Sequence, residues 1–213
     1  MSITEQQFRQ MMPNAGARLD PHLPYIVPAM EEGDIASPKR IAAFLAQLAH
    51  ESGEYRYMEE IASGHAYEGR ADLGNTAWGD GPKYKGHGPI QITGRANHEA
   101  CGRELGLDLI ADPLQITKPE HGTRAAVWFW NSRGLSALAD VDWFKAITRI
   151  INGGYNGLSD RRLYWDRNRA LLGLPYVDLD REEFAIADFQ RKHGLFADGI
   201  AGPKTLKVLR GGA

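Results

Sequence analysis

Residues 37–60, Ser-Pro-Lys-Arg-Ile-Ala-Ala-Phe-Leu-Ala-Gln-Leu-Ala-His-Glu-Ser-Gly-Glu-Tyr-Arg-Tyr-Met-Glu-Glu, constrain this chain more than any other stretch. Ser37 is a favoured N-cap, Pro38 suits a first helical position, and Gly53 stands where a helix should stop. Between them Ile41, Phe44, Leu45 and Leu48 recur at i, i+3, i+4 and i+7, which turns one stripe toward a core. At about 100° per residue, Glu51 projects only about 20° from Phe44, at the edge of that stripe. A carboxyl there has two readings. If the helix continues, burial against Phe and Leu disfavours its charged form and raises its pKa, as a general acid near neutral pH requires. If the helix frays after Leu48, Glu51 stands in water. Glu59 and Glu60 follow a short loop later and offer a second carboxylate across a cleft.

A chain of 213 residues with 43% hydrophobic content can bury a real core, and one main domain with a small appendage is expected. No run of about 18 apolar residues occurs, so no stable membrane insertion is expected. The opening Met-Ser-Ile-Thr-Glu-Gln-Gln-Phe lacks the basic and apolar regions of a secretory signal, which predicts synthesis in the cytoplasm without export. The single cysteine, Cys101, excludes an internal disulfide and a cysteine-cluster metal site and reads as a packed thiol. Seven histidines are scattered without metal-ligand spacing, and neither metal nor other cofactor is expected. A formal net charge of −2 argues against wrapping nucleic acid and gives no long-range pull toward an anionic wall. Any such substrate must be held by local contacts.

Around the central helix, Thr4 and Gln7 form a capping-box pattern for a short helix through about Met12, and a second short helix is expected near Tyr25 to Glu32. Residues 61–95 are glycine-rich and aperiodic, which reads as functional loops with a small two- or three-stranded ribbon. Helices then return from Thr117-Lys118-Pro119-Glu120 through Trp128-Phe129-Trp130, over 143–151 with Asp142 as cap, and from Arg161 to Leu172. Pro175 marks a boundary between residues 1–175 and a tail, 176–213, in which Asp180 with Glu183 opens one helix and Pro203 another. So short a tail has too little core to stand alone and is expected to dock on the main domain.

Some chemistries are excluded by spacing. His50-Glu51-Ser52-Gly53-Glu54 has the opening of a zinc-protease helix, but the second histidine is missing because position 54 is Glu. Gly86-His87-Gly88 lacks the third glycine and the Lys-Ser/Thr end of a nucleotide loop. In Trp128-Phe129-Trp130 at least two rings read as core, with sugar stacking open to the third. Asn152, before two glycines, reads equally as a C-cap or as a hydrogen-bonder facing a cleft.

Three segments resemble glycoside hydrolase family 19, in its phage endolysin and bacterial chitinase-like branch: Ala43 to Gly53, Tyr84 to Asn97, and Ile150 to Gly154. Tyr67 to Asn75 resembles the peptidoglycan-degrading members, and His87 departs from the arginine more usual there. The resemblance implies a mainly α-helical, two-lobed lysozyme-like fold whose glycine-rich loop region lines a cleft, and inverting cleavage of a β-1,4 linkage beside an N-acetylated sugar. By motif position Glu51 matches the acid, Glu60 the base, and Thr93 the hydroxyl that helps hold the water. Gln91, Asn97, Asn152, Arg161 and Tyr84 match substrate-holding or acid-tuning positions, with Arg162 an equally basic neighbour of Arg161. Glu59 remains open as the base.

Asp188 to Leu195 and Asp198 to Thr205 resemble the second half of a three-helix peptidoglycan-binding domain, so the tail reads equally as a binder or a structural prop. The expected protein is a monomeric endolysin. It would be made in a host cytoplasm, reach the wall through a holin-type lesion, and cut peptidoglycan glycan strands without a cofactor or nucleic acid. A chitinase of the same mechanism and a non-catalytic wall-binding module are the alternatives.

Overall fold

The computed structural model describes residues 3–212; Met1, Ser2 and Ala213, the outermost ends of the two expected segments, lie outside the described residues. Helices dominate: α1 Glu5–Met11, α2 Leu23–Glu32, α3 Pro38–Ser52, α4 Asp80–Lys83, α5 Arg95–Leu105, α6 Pro119–Ser132, α7 Leu135–Asp140, α8 Phe144–Asn152, α9 Leu158–Leu171, α10 Glu182–Lys192 and α11 Pro203–Leu209. None of them is long and apolar enough to cross a membrane.

The central helix α3 starts and stops where the sequence places it. The Ser37 hydroxyl accepts from the Arg40 N–H, and Gly53 closes the helix at φ 55°, a left-handed conformation that costs glycine little. The helix does not fray after Leu48; it runs through Glu51 to Ser52. Its apolar face is fully buried, with α9 packed along it and Phe44 edge-on to Trp130 at 5.4 Å. On the same buried face of α9, Trp165 stacks on Phe144 of α8 at 4.6 Å, which ties α3, α9 and α8 into one core.

Three expected caps are absent for identifiable reasons. Thr117 ends a 3₁₀ turn and donates its hydroxyl back to the Leu114 carbonyl, so α6 begins at Pro119 without a side-chain cap. Asp142 does not cap α8, because its carboxylate is taken by Lys39 and by the buried Arg169. The α8 N-terminus is instead closed by the tail: Glu182 accepts from the backbone N–H groups of Lys145 and Ala146, both at 2.7 Å. Asp180 likewise leaves α10 uncapped and sits in a 3₁₀ turn that Asp178 caps. Around that contact Phe189 meets Trp143 edge-on at 5.4 Å, while Leu179 and Ile186 join the core, so the tail lies against the helix that ends at Asn152.

The expected ribbon in residues 61–95 shrinks to two isolated bridges, Glu59 with His87 and His87 with Ile92. Positive φ at Gly88, Gln91 and Gly94 curls the chain too tightly for a longer ladder. The pairing still binds 58–60 to 86–88 through Glu60 N–H to the Gly86 carbonyl and Gly88 N–H to the Met58 carbonyl, each 2.8 Å. That knot sets Glu60 beside the loop that carries Gln91 and Thr93.

Candidate active site

A cleft of about 510 Å³ is lined by Glu51 from α3, Glu60 from the knot, Gln91, Thr93 and Asn97, and Asn152 from the end of α8. Helix capping explains part of this convergence: α3 and α8 both end on left-handed glycines, Gly53 and Gly153, which turn the chain away and leave Glu51 and Asn152 facing the opening.

Glu51 is mostly shielded, its side chain 15% exposed, but its neighbour is not only the apolar stripe. The Arg161 guanidinium, fully buried behind it, donates to Glu51 Oε1 at 2.5 Å and also to the Gln47 side-chain oxygen, and Gln47 in turn donates to the Thr148 hydroxyl at 3.0 Å. Arg161 is therefore walled off from the cleft and positions Glu51, so of the two roles expected of it, holding substrate is corrected and tuning the acid fits. Arg162 turns the other way, to Tyr176 and Asp166. Tyr84 is corrected too: it is wholly buried and donates its hydroxyl to the Ile110 carbonyl at 3.0 Å, so no part of it reaches the cleft.

Glu60 accepts from the Tyr67 hydroxyl at 3.0 Å and from the Gly86 N–H at 2.9 Å. A side chain at Gly86 would come within 2.7 Å of the Gln91 side-chain oxygen and 3.3 Å of Glu60 Oε2, so glycine is what lets the amide approach. Burial and the bond to Glu60 push the Tyr67 phenol above its ordinary range, which keeps it a donor. Glu59 faces elsewhere: Lys85 pairs with it at 2.8 Å and pulls its carboxyl below the usual range. Of the two adjacent carboxylates, only Glu60 lines the cleft.

The Thr93 hydroxyl donates to the Gln91 carbonyl at 3.0 Å, which leaves its lone pairs to accept from a water. Asn97 donates to the Thr93 carbonyl at 2.8 Å, and Gln91, held at φ 54°, donates to the Tyr57 and Gly88 carbonyls. Strain of this kind persists only where neighbours over-determine it. Sequence reasoning missed Arg133, which lines the cleft, donates to the Asn97 side-chain oxygen at 3.2 Å and lies 3.5 Å over the Phe129 ring. Burial lowers its guanidinium to about 10. Phe129 is the aromatic of the 128–130 run that faces the cleft, but Arg133 covers its face, so it is not a bare stacking platform.

Beneath this loop His87 and His98 form a buried pair, with His87 Nδ1 3.0 Å from His98 Nε2 and His98 Nδ1 2.9 Å from the Gly94 carbonyl. If His98 donates from Nδ1, its Nε2 accepts from His87, an arrangement that uses two neutral rings. Burial lowers both to about 4. The unfolded chain would protonate near 6.5, so it binds more protons than the folded chain between about 6.5 and 4, and stability falls as pH drops through that window. The melting temperature is expected to decline from pH 6.5 to pH 4, and less steeply when both histidines are replaced by phenylalanine; equal slopes would remove the pair as the cause.

Among solved structures, chitinase C from Streptomyces griseus superposes with a TM-score of 0.67 over 83% of this chain and 96% of its own, at 24% identity. A class IV family 19 chitinase from Zea mays does so with a TM-score of 0.58, over 84% and 85%, at 25% identity. The architecture is the lysozyme-like helical fold of these glycoside hydrolases. The family model described as Chitinase class I matches residues 27–139, and a glycosyl hydrolase family 19 domain-containing protein of Haemophilus influenzae is 30% identical over 200 residues, covering 77% of this chain and 94% of that protein. The chain belongs to glycoside hydrolase family 19. An endochitinase of Arabidopsis thaliana is 42% identical over 129 residues, which cover 59% of this chain and 43% of that protein. The chain thus spans about two fifths of the length of this relative and of a second Arabidopsis thaliana endochitinase. Residues 183–209 match the model of a putative peptidoglycan binding domain.

Proposed function

We propose that this chain hydrolyses β-1,4 glycosidic bonds of bacterial peptidoglycan with inversion, Glu51 acting as general acid and Glu60 as general base. The observation that carries the reading is the meeting of these two carboxylates, from separate elements, in one cleft with Thr93. Each is held by its own donors, Arg161 for one and Tyr67 with Gly86 for the other. In the proposed reaction Glu51 protonates the departing sugar oxygen, and the buried Arg161 cation stabilises the charge that the carboxyl then acquires. A water between Glu60 and the anomeric carbon gives one hydrogen to Glu60 and the other to Thr93 Oγ1, which aims its lone pair at the sugar. Asn97, Asn152 and Arg133 offer amide and guanidinium contacts for the sugar's hydroxyl and acetamido groups.

The peptidoglycan-binding match of the docked tail favours wall glycan, while the names of the plant relatives favour chitin as the second reading. An endolysin released from a host cytoplasm through a membrane lesion is the physiological setting we propose. Zymography on purified peptidoglycan beside colloidal chitin separates the readings. Clearing of peptidoglycan supports ours, clearing of chitin alone replaces it, and wall pelleting with neither clearing would point to a binder without activity.

A further inference from the structure

The tail does more than cap α8: it forms with that helix a groove of about 310 Å³, lined by Lys145, Arg149 and Ile150 on one side and by Ile186, Leu206 and the 199–203 turn on the other. Ile150 also lines the catalytic cleft, so the last turn of α8 is the shared wall of cleft and groove. We propose that this groove receives the acidic peptide branch of a peptidoglycan strand whose glycan lies in the cleft, with Arg149 meeting a peptide carboxylate; the inference rests on the peptidoglycan reading above.

The charges in the groove select this ligand. Glu182 is spent on the two backbone N–H groups that it caps, and Lys145 is neutralised by Glu183 at 2.7 Å. Arg149 is exposed and makes no ion pair among the described residues; the Asp198 carboxylate attracts it from nearby but is tied to the Ile200 N–H and the Gln190 amide and makes no contact with it. An accessible guanidinium beside an apolar floor suits a carboxylate on a short chain of small residues. Peptidoglycan carries such a branch on alternate sugars, attached through a lactyl group that must leave the glycan sideways. From a strand in the cleft, the sideways route over Ile150 leads into the groove. Chitin is neutral and unbranched and would leave Arg149 unmatched. The half-exposed Tyr155 and Ile200 at the rim supply apolar contact for alanyl methyl groups.

The test uses the full chain carrying Glu51→Gln, which leaves a bound glycan uncut, with two probes: N-acetylglucosaminyl-N-acetylmuramic acid with and without its Ala-Glu-diaminopimelate-Ala tetrapeptide. Calorimetry should show the peptide-bearing probe binding about tenfold more tightly, the worth of one charge-assisted contact in a partly shielded site. Arg149→Glu should erase that difference, while the same substitution in the active enzyme leaves turnover of chitotetraose unchanged. Equal affinities in the parent, or a tenfold preference that survives Arg149→Glu, would overturn the inference. The peptidoglycan reading fails separately, if the active enzyme clears no wall, because the binding comparison requires no cleavage.

Discussion

Glu51→Gln should lower turnover by about 10²–10⁴-fold, the range general acid catalysis supplies, while the protein stays folded. The amide is nearly the same shape, and its oxygen still accepts from Arg161, so the Glu51–Arg161–Gln47–Thr148 chain of hydrogen bonds persists. What it cannot do is give a proton to a leaving sugar oxygen. Loss of the charge opposite the buried Arg161 should lower the melting temperature, but by less than removal of the guanidinium does, because the amide oxygen keeps the hydrogen bond. Wall clearing near the parent rate by a folded Glu51→Gln protein would remove Glu51 as the acid.

Arg161→Met should have the largest effect on stability. The guanidinium is completely buried, and removing it strands Glu51 without its cation and Gln47 without its donor inside the α3–α9 contact. Breaking a buried pair from one side costs about 3–5 kcal/mol, which for a protein of this size lowers the melting temperature on the order of 10 °C. Adding Glu51→Gln to Arg161→Met should recover part of that loss, because the stranded charge is gone. Turnover of Arg161→Met should also fall, since Glu51 would no longer be held at the cleft. Thermal unfolding of the two single variants and the double variant measures both effects; a melting temperature for Arg161→Met within about 2 °C of the parent would mean that the pair contributes little.

Local signals in the sequence were the ones most readily legible. Ser37, Pro38 and Gly53 bound α3 because caps depend on a few adjacent residues, and the capping box at Thr4 and Gln7 forms for the same reason. Glu51, Gln91, Thr93, Asn97 and Asn152, from the three segments that carry the resemblance, and Glu60, nine residues beyond Glu51, all line one cleft. Tyr84 went astray because an aperiodic loop gives no rule for which way a ring points. The Asp142 cap failed because a distant partner, Arg169, outbids a local backbone amide, and Glu182 closes α8 from 37 residues beyond Lys145. The role of Gln47 did leave a trace, a polar residue inside an apolar helical run, but nothing local names Arg161 and Thr148 as its partners. Arg133 sits just past the end of α6 and reaches the site through the packing of that helix on α5, which carries Asn97.

In the proposed reaction two carboxylates act with a water held between one of them and the sugar. Inversion requires that gap, about 6.5–9.5 Å between the carboxyl groups, and a second partner to orient the water. Glu60 and Thr93 stand on neighbouring segments of the same loop knot, and the Thr93 hydrogen is already committed to the Gln91 carbonyl, which leaves it the acceptor role. The most direct measurement is proton NMR of the anomeric signals during the first turnovers of a soluble β-linked oligosaccharide. The α-anomer should appear first and the β-anomer only as mutarotation proceeds; initial β-product, as a covalent glycosyl-enzyme would release, would contradict the two-carboxylate mechanism.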